Sequence, residues 1–132
     1  MRYQFTIVQD CLRAEMIGRD TVEETQEFIA AVADEARKTS SSRILIFVRR
    51  SRPIFRVEQY RISDQFRALA ANPAVRVALL ADADELRAAH GYIEVLAQQQ
   101  GANVRAFRDE PSAIEWLKAP SLAQSVQSQE KR

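Results

Sequence analysis

The chain has 132 residues, of which 46% are hydrophobic and 28% charged, with a formal net charge of +1 and a single cysteine. This size and balance are typical of one globular domain with its own core, and one cysteine excludes an internal disulfide. No apolar run approaches the roughly 20 residues of a membrane-spanning helix, and the N-terminus lacks the apolar segment of a secretory signal. We therefore expect one cytoplasmic domain without a membrane span.

The first third of the chain predicts a hairpin followed by a helix. Apolar and polar residues alternate from Tyr3 to Val8, and a weaker alternation from Leu12 to Ile17 predicts a second strand. Thr21 and Glu24 have the spacing of a capping box, which predicts that a helix begins there. The polar run TSSS, residues 39–42, is expected to end it.

Two continuous apolar runs, at 43–49 and 75–81, predict buried strands. Helical spacing of apolar residues after the first run predicts a helix over about 57–71. A longer helix follows the second run, with Asp82 or Asp84 as its expected N-cap.

The end of the chain predicts a last strand and a short helix. Gly101 is placed for a left-handed cap of the preceding helix, and the last strand is expected at 104–107. Pro111 suits the first turn of a helix that carries Trp116. Together these elements predict a single α/β domain over residues 1–118, in the order ββαβαβαβα. Its sheet is mixed, mostly parallel and five-stranded, with helices packed on it, and residues 119–132 form a polar, flexible tail.

Three segments of the second half resemble a known family. They are RVALLAD, AHGYIEVLAQQQG and NVRAFRDEPSAIEWL, which span 76–82, 89–101 and 103–117. In this order they resemble the STAS family, the sulfate-transporter and anti-sigma-factor-antagonist domains, and most of all its small, mostly uncharacterised bacterial STAS-like branch. The resemblance implies the same α/β fold and a function in protein–protein contact.

The resemblance also implies a candidate phosphosite. In anti-sigma-factor antagonists a serine is phosphorylated where the helix after the third strand begins. Ser51, in the sequence VRRSRPIF, lies near that position, although the aspartate and glycine of the family's turn are absent. Arginine neighbours of the kind present here can stabilise a phosphate.

Four arginines follow the third predicted strand: Arg49, Arg50, Arg52 and Arg56. Ligands of α/β sheets bind outside the carboxyl ends of the strands, and guanidinium groups match phosphate and carboxylate. The cluster is therefore a candidate partner- or anion-binding site. The other interpretation is a solvated loop whose arginines pair with acids of the first helix or of a neighbouring subunit. Nucleic acid is disfavoured, because the pI is near 7.9 and aromatic platforms are few.

His90 and Tyr92 lie in the helix predicted after the fourth strand, and His90 is the only histidine. Two interpretations stay open for His90: a position at the edge of the core with its ring bonded to a carbonyl, or a place beside Tyr92 in a ligand pocket. Gly91 between them is expected to permit close packing against the sheet or a second subunit. No residues have metal-ligand spacing, and no nucleophile–base pair is evident, so we expect no metal, no cofactor and no enzymatic activity.

The charge distribution favours an interaction function. Residues 10–37 hold eight acids against three arginines, whereas 43–67 hold seven arginines against two acids. Such asymmetry can steer a partner or pair two copies. The sequence therefore predicts a non-enzymatic STAS-like regulatory or protein-interaction module with an unknown protein partner and a candidate homodimer. The alternative is a domain that binds a small anionic or lipid-like molecule through the arginine loop.

Overall fold

The computed structural model describes residues 1–53 and 56–120, and all of their side chains except those of 56–61 and 63. The elements in chain order are β1 (Arg2–Val8), β2 (Cys11–Ile17), α1 (Val22–Thr39), β3 (Arg43–Arg49), α2 (Arg56–Leu69), β4 (Arg76–Ala81), α3 (Asp84–Gln99), β5 (Val104–Ala106) and α4 (Glu110–Lys118). This is the predicted order. The expected tail lies outside the described residues from 121 onward. None of the helices described is both long and apolar enough to cross a membrane.

The five strands form one sheet in the order β1-β2-β3-β4-β5. β1 and β2 pair antiparallel, and the other three pairs are parallel, which confirms the predicted mixed, mostly parallel sheet. The hairpin turn consists of Gln9 and Asp10, whose φ angles are 51° and 66°. Two consecutive left-handed residues are typical of a type I′ turn, whose twist matches that of the flanking strands.

Two clusters of buried side chains lie on opposite faces of this sheet. The larger cluster joins alternate strand residues, such as Ile44 and Ile46, to α1, α2 and α3. The smaller one joins the intervening residues, such as Leu45, to α4. The rings of Phe107 and Trp116, 5.5 Å apart, pack against this second cluster. Of the described helices, three therefore cover one face and α4 packs on the other.

The ends of two helices have the capping chemistry that the sequence predicts. Thr21 Oγ1 accepts a hydrogen bond from the Glu24 amide at 3.2 Å, and the Glu24 carboxylate accepts one from the Thr21 amide at 3.1 Å. Gly101 has a φ of 80°, as a left-handed residue after α3 requires. These local signals specify where α1 begins and α3 ends.

The start of α3 differs from the prediction. Its N-cap is Ala83, without a side-chain hydrogen bond. The Asp82 carboxylate instead accepts hydrogen bonds from the backbone N–H of Arg50, at 3.1 and 3.3 Å. Asp84 accepts one from Arg87 at 2.7 Å. The expectation was wrong because β3 and β4 are neighbours, so Asp82 lies beside the residue that follows β3.

Candidate functional site

The loops that follow β2 and β3 are held together as one unit at the carboxyl edge of the sheet. We call them the loop pair, which comprises residues 18–21 and 50–53. The Gly18 amide donates to the Arg49 carbonyl at 3.1 Å, and the Arg52 amide donates to the Arg19 carbonyl at 2.9 Å. Ser51 Oγ accepts from the Arg19 amide at 3.1 Å and donates to the Arg49 carbonyl at 2.9 Å. The hydroxyl of the candidate phosphosite is therefore part of the framework that joins the two loops.

Arg50 has a strained backbone. Its φ is 48°, in the left-handed region that costs a non-glycine residue on the order of 1 kcal/mol. The hydrogen bonds from its N–H to the Asp82 carboxylate hold this conformation. The residue as a whole is exposed, so the loop pair presents Arg50 to solvent from a fixed backbone.

The other arginines of the cluster do not converge on one point. Arg49 Nη1 lies 3.2 Å from a carboxylate oxygen of Glu15, and its guanidinium stacks over the Phe47 ring. Arg52 Nε lies 3.2 Å from Asp20 Oδ1, and both of these side chains are exposed. The side chain of Arg56 lies outside the described residues. The interpretation as a loop with acid-paired arginines therefore fits Arg49 and Arg52, although their acids come from β2 and the loop pair rather than from α1.

The most buried arginine of the loop pair is Arg19, which the sequence did not single out. It is only 3% exposed. Its Nη1 donates to Thr25 Oγ1 at 3.4 Å, and its Nη2 donates to the carbonyl of Arg52. Burial lowers its pKa to about 10, against the opposing effect of the Glu24 charge, so the guanidinium remains charged at neutral pH. Among the described residues no carboxylate forms an ion pair with it.

Arg19 lines an internal cavity between the sheet and the three helices α1, α2 and α3. The space open to water centres is about 10 Å³, enough for about one water molecule. Among the described side chains, three polar ones contribute to the wall: those of Arg19, Thr25 and His90. The other lining residues are Met16, Phe28, Ile29, Ile46, Val48, Ile62, Phe66, Leu86, Ala89 and Ile93. The cavity is thus an apolar space with polar groups on its wall.

His90 is 5% exposed and contributes to this wall from α3. Burial, and secondly the charge of Arg19, lowers its pKa to about 3, so the imidazole is neutral at physiological pH. No hydrogen bond to its ring is found in the part of the chain that the structure describes, so the expected carbonyl partner is not seen there. Tyr92 does not line the cavity. The structure therefore brings His90 together with Arg19 and Thr25, rather than with Tyr92 and the loop arginines.

A Cβ atom placed on Gly91 would meet none of the described atoms within 4 Å. The expectation of close packing against the sheet was therefore wrong, whereas close packing against a second subunit stays a prediction.

Cys11 lies away from the cavity. It is buried in the cluster beneath α4, on the opposite face of the sheet. Burial raises the pKa of its thiol, which keeps it protonated at neutral pH. Cys11 and His90 therefore cannot act as a nucleophile–base pair. In the described ranges, 1–53 and 56–120, no cluster of three or more His, Cys, Asp or Glu side chains is placed to hold a metal ion.

Fold and site together define a single α/β domain. Hydrogen bonds join its loop pair at the carboxyl edge of a mixed sheet, and a small, mostly apolar cavity with a few polar groups lies behind the loop pair. No protein-family model matches the chain, and no curated protein does. The chain is similar to a solved structure described as the NMR structure of the protein TM1081, with a TM-score of 0.61 and 16% sequence identity. The similarity covers 91% of each chain. At this identity it establishes the α/β fold alone.

Proposed function

We propose that this domain is a non-enzymatic binding module for a small anionic molecule with an apolar portion, which it holds at the internal cavity. The observation that carries the proposal is the buried Arg19 charge, which forms no direct ion pair with a described carboxylate, although the charge of Glu24 partly stabilises it. It lies on the same wall as the neutral His90. This is the second of the two functions that the sequence favoured, with Arg19 in place of the loop arginines.

The energetics of Arg19 support an anionic ligand. A buried charge that is not paired directly costs several kcal/mol, and the charge of Glu24 offsets only part of the burial of Arg19. The two acceptors of its N–H groups are both neutral oxygens. A guanidinium has five N–H donors in a planar fork that matches a carboxylate or phosphate. An anion bound here would therefore compensate a charge that the protein already carries. His90, as a neutral imidazole, can donate one hydrogen bond to the same ligand and accept another.

The size of the cavity limits the ligand. The space of about 10 Å³ takes only about one water, whereas ligand pockets are typically about 300–1,000 Å³. A ligand with an apolar portion must therefore displace side chains of the wall as it enters. Since most of that wall is apolar, displacement exposes surface that the apolar portion of the ligand can cover.

The test compares two arginine substitutions in a ligand titration. Arg19→Met removes the buried charge and keeps an apolar stem, whereas Arg52→Met removes an exposed charge from the same loop pair. Short-chain carboxylates, phosphate monoesters and their uncharged amide or alcohol analogues are titrated while the melting temperature is followed. We expect the anions to stabilise the wild type and Arg52→Met by about 2–3 kcal/mol at a hundredfold excess over Kd, and not to stabilise Arg19→Met.

Two results would contradict the proposal. One is an equal shift for Arg19→Met and the wild type, which would place the anion elsewhere. The other is the absence of a shift with every anion of the panel, together with a native mass spectrum of the purified protein that shows no bound molecule.

A second candidate function is the STAS-like interaction module with a protein partner. The strained backbone of Arg50 and its restraint by Asp82 favour it, because strain retained on an exposed loop is typical of functional surfaces. Arg50 and Arg52 would contact acidic groups of the partner, as arginines at interface centres do. The family assignment, the bacterial origin, the cytoplasmic location and the pairing of two copies belong to this same proposal.

Phosphorylation of Ser51 is a further part of the second candidate. A phosphate would remove the hydroxyl proton that Ser51 donates to the Arg49 carbonyl, while the Arg19 amide would face the new anion. The loop pair would thus lose one of its hydrogen bonds and gain charge-assisted hydrogen bonds to the phosphate.

A further inference from the structure

Among the described strands β1 lies at an outer edge of the sheet, and a row of its backbone groups faces away from β2. In a two-residue hairpin the pair that flanks the turn, here Val8 and Cys11, exchanges both of its backbone hydrogen bonds. Every second residue before Val8 therefore bonds to β2, and the residues between them turn their N–H and C=O groups away from the sheet. These outward residues are Tyr3, Phe5 and Ile7.

The same edge carries exposed apolar side chains. Of the residues that the structure describes, three large hydrophobics are exposed: Tyr3 at 39%, Ile7 at 57% and Val95 at 50%. Two of the three belong to β1, where they share one face of the strand with Phe5. The strand contains no proline or lysine, the residues that commonly protect sheet edges from pairing.

We propose that a second copy of this chain pairs with β1, antiparallel and about a two-fold axis at Phe5, so that the two sheets become one. This register overlaps the whole strand, from Arg2 to Val8. It places the outward N–H and C=O groups of each copy opposite those of the other. It also sets Tyr3 opposite Ile7 of the second copy, twice by symmetry, and aromatic–β-branched pairs of this kind stabilise sheets. A register shifted by two residues would leave one of these exposed side chains without a partner.

The charges of β1 are compatible with a second copy as the occupant. Arg2 is the only charged residue of β1, so the pairing sets no like charges opposite each other. In the proposed register Arg2 lies opposite the uncharged Val8 of the second copy.

The opposite edge of the sheet does not compete with β1 as a pairing partner for the second copy. β5 has only three residues, Val104–Ala106, and offers few groups to a seven-residue strand. Pairing of β1 with β5 of another copy would also leave free edges and continue into a filament, whereas pairing of β1 with β1 closes. A single pair of strands is a small interface, so the dimer is expected to dissociate on dilution.

The experiment combines sedimentation velocity over a wide concentration range with hydrogen exchange on the full chain. Ile7→Lys places two charges in the proposed interface, and Val95→Lys is its matched control on α3. We expect a concentration-dependent dimer for the wild type and Val95→Lys, and a monomer for Ile7→Lys with an unchanged circular dichroism spectrum. At high concentration the amides of Tyr3, Phe5 and Ile7 should become protected, whereas those bonded to β2 are protected at every concentration.

Four results would overturn the proposal. A wild type that stays monomeric at all concentrations contradicts it directly. A dimer that persists in Ile7→Lys, or in which the outward amides of β1 exchange as fast as in the monomer, assigns the contact to another surface. Loss of the dimer in both lysine variants shows an association driven by net charge.

Discussion

Substitution of His90 should change how the stability of the domain depends on pH. His90 has a pKa of about 3 in the folded protein and an ordinary value of 6.5, so the unfolded chain binds a proton at a higher pH than the folded one. The free energy of unfolding therefore falls as the pH decreases from about 6.5 towards 3, and the group has no effect above this window. His90→Leu removes the titration and keeps an apolar group in the cavity wall.

The magnitude follows from the two pKa values. Between pH 7 and pH 5 the unfolded state gains roughly three quarters of a proton at this residue, whereas the folded state gains almost none, which costs about 2 kcal/mol of stability. Since His90 is the only histidine, no other side chain with an ordinary pKa near 6.5 contributes to this window. Most carboxylates titrate lower, and they are common to both proteins.

The assay is urea unfolding of the wild type and His90→Leu at several pH values from 7 to 5. The wild type should lose about 2 kcal/mol more than the variant over this range. Parallel stability curves would refute the reasoning, because they would mean that the imidazole titrates alike in both states. An NMR titration of the folded protein that gave an ordinary histidine pKa would refute the burial itself.

Two further predictions concern the surface. Arg50→Glu combined with Arg52→Glu should abolish capture of a protein partner and change the melting temperature little, since both residues are exposed. The combination Arg37→Glu with Arg67→Glu, which changes the net charge equally at other exposed sites, should retain capture, and equal loss in both would contradict the placement on the loop pair. Gly91→Ala should raise the free energy of unfolding by about 0.5–1 kcal/mol, because α3 gains a better helix former and the added methyl meets no described atom. A decrease, measured by urea unfolding, would show that Gly91 is required there.

Local sequence signals predicted most of the secondary structure. The capping box of Thr21 and Glu24 and the left-handed Gly101 depend only on residues close in the chain, and both are present as predicted. The apolar runs of β3 and β4 predicted buried parallel strands. The prediction succeeded because both faces of these strands are covered, one by α1, α2 and α3 and the other by α4.

The structure of β2 was harder to predict, because ion pairs and hydrogen bonds with residues distant in the sequence make its charged residues tolerable inside the sheet. β2 is an interior strand, although Arg13 and Glu15 made its sequence a weak candidate. The nearly buried Glu15 carboxylate lies 3.5 Å from Arg13 and 3.2 Å from Arg49, and accepts a hydrogen bond from Gln4 at 3.0 Å. These partners come from three different strands. The strand order therefore decides whether a glutamate is tolerated here.

The position of the candidate loop could be predicted from the sequence, whereas the burial of Arg19 could not. Position after a parallel strand pointed to the loop of Arg50 and Ser51, and the structure places that loop at the carboxyl edge. Arg19 was missed because its segment is acidic overall and nothing in its neighbours marks it as buried. The one available signal was its position after Gly18, directly beyond β2, where a parallel strand also ends.

Arg19 connects the two candidate functions physically. Its backbone N–H donates to Ser51 and its carbonyl accepts from the Arg52 amide, so its main chain holds the loop pair, while its guanidinium lines the cavity. An anion that moved the guanidinium would draw it from the Arg52 carbonyl, which belongs to the surface that a partner would contact. If such a ligand changes the affinity of the domain for the partner by some factor, thermodynamic linkage requires that the partner changes its affinity for the ligand by the same factor. If the two sites are coupled, Arg19→Met weakens the binding of both the ligand and the partner. If they are independent, Arg50→Glu with Arg52→Glu weakens the binding of the partner and leaves the binding of the ligand unchanged.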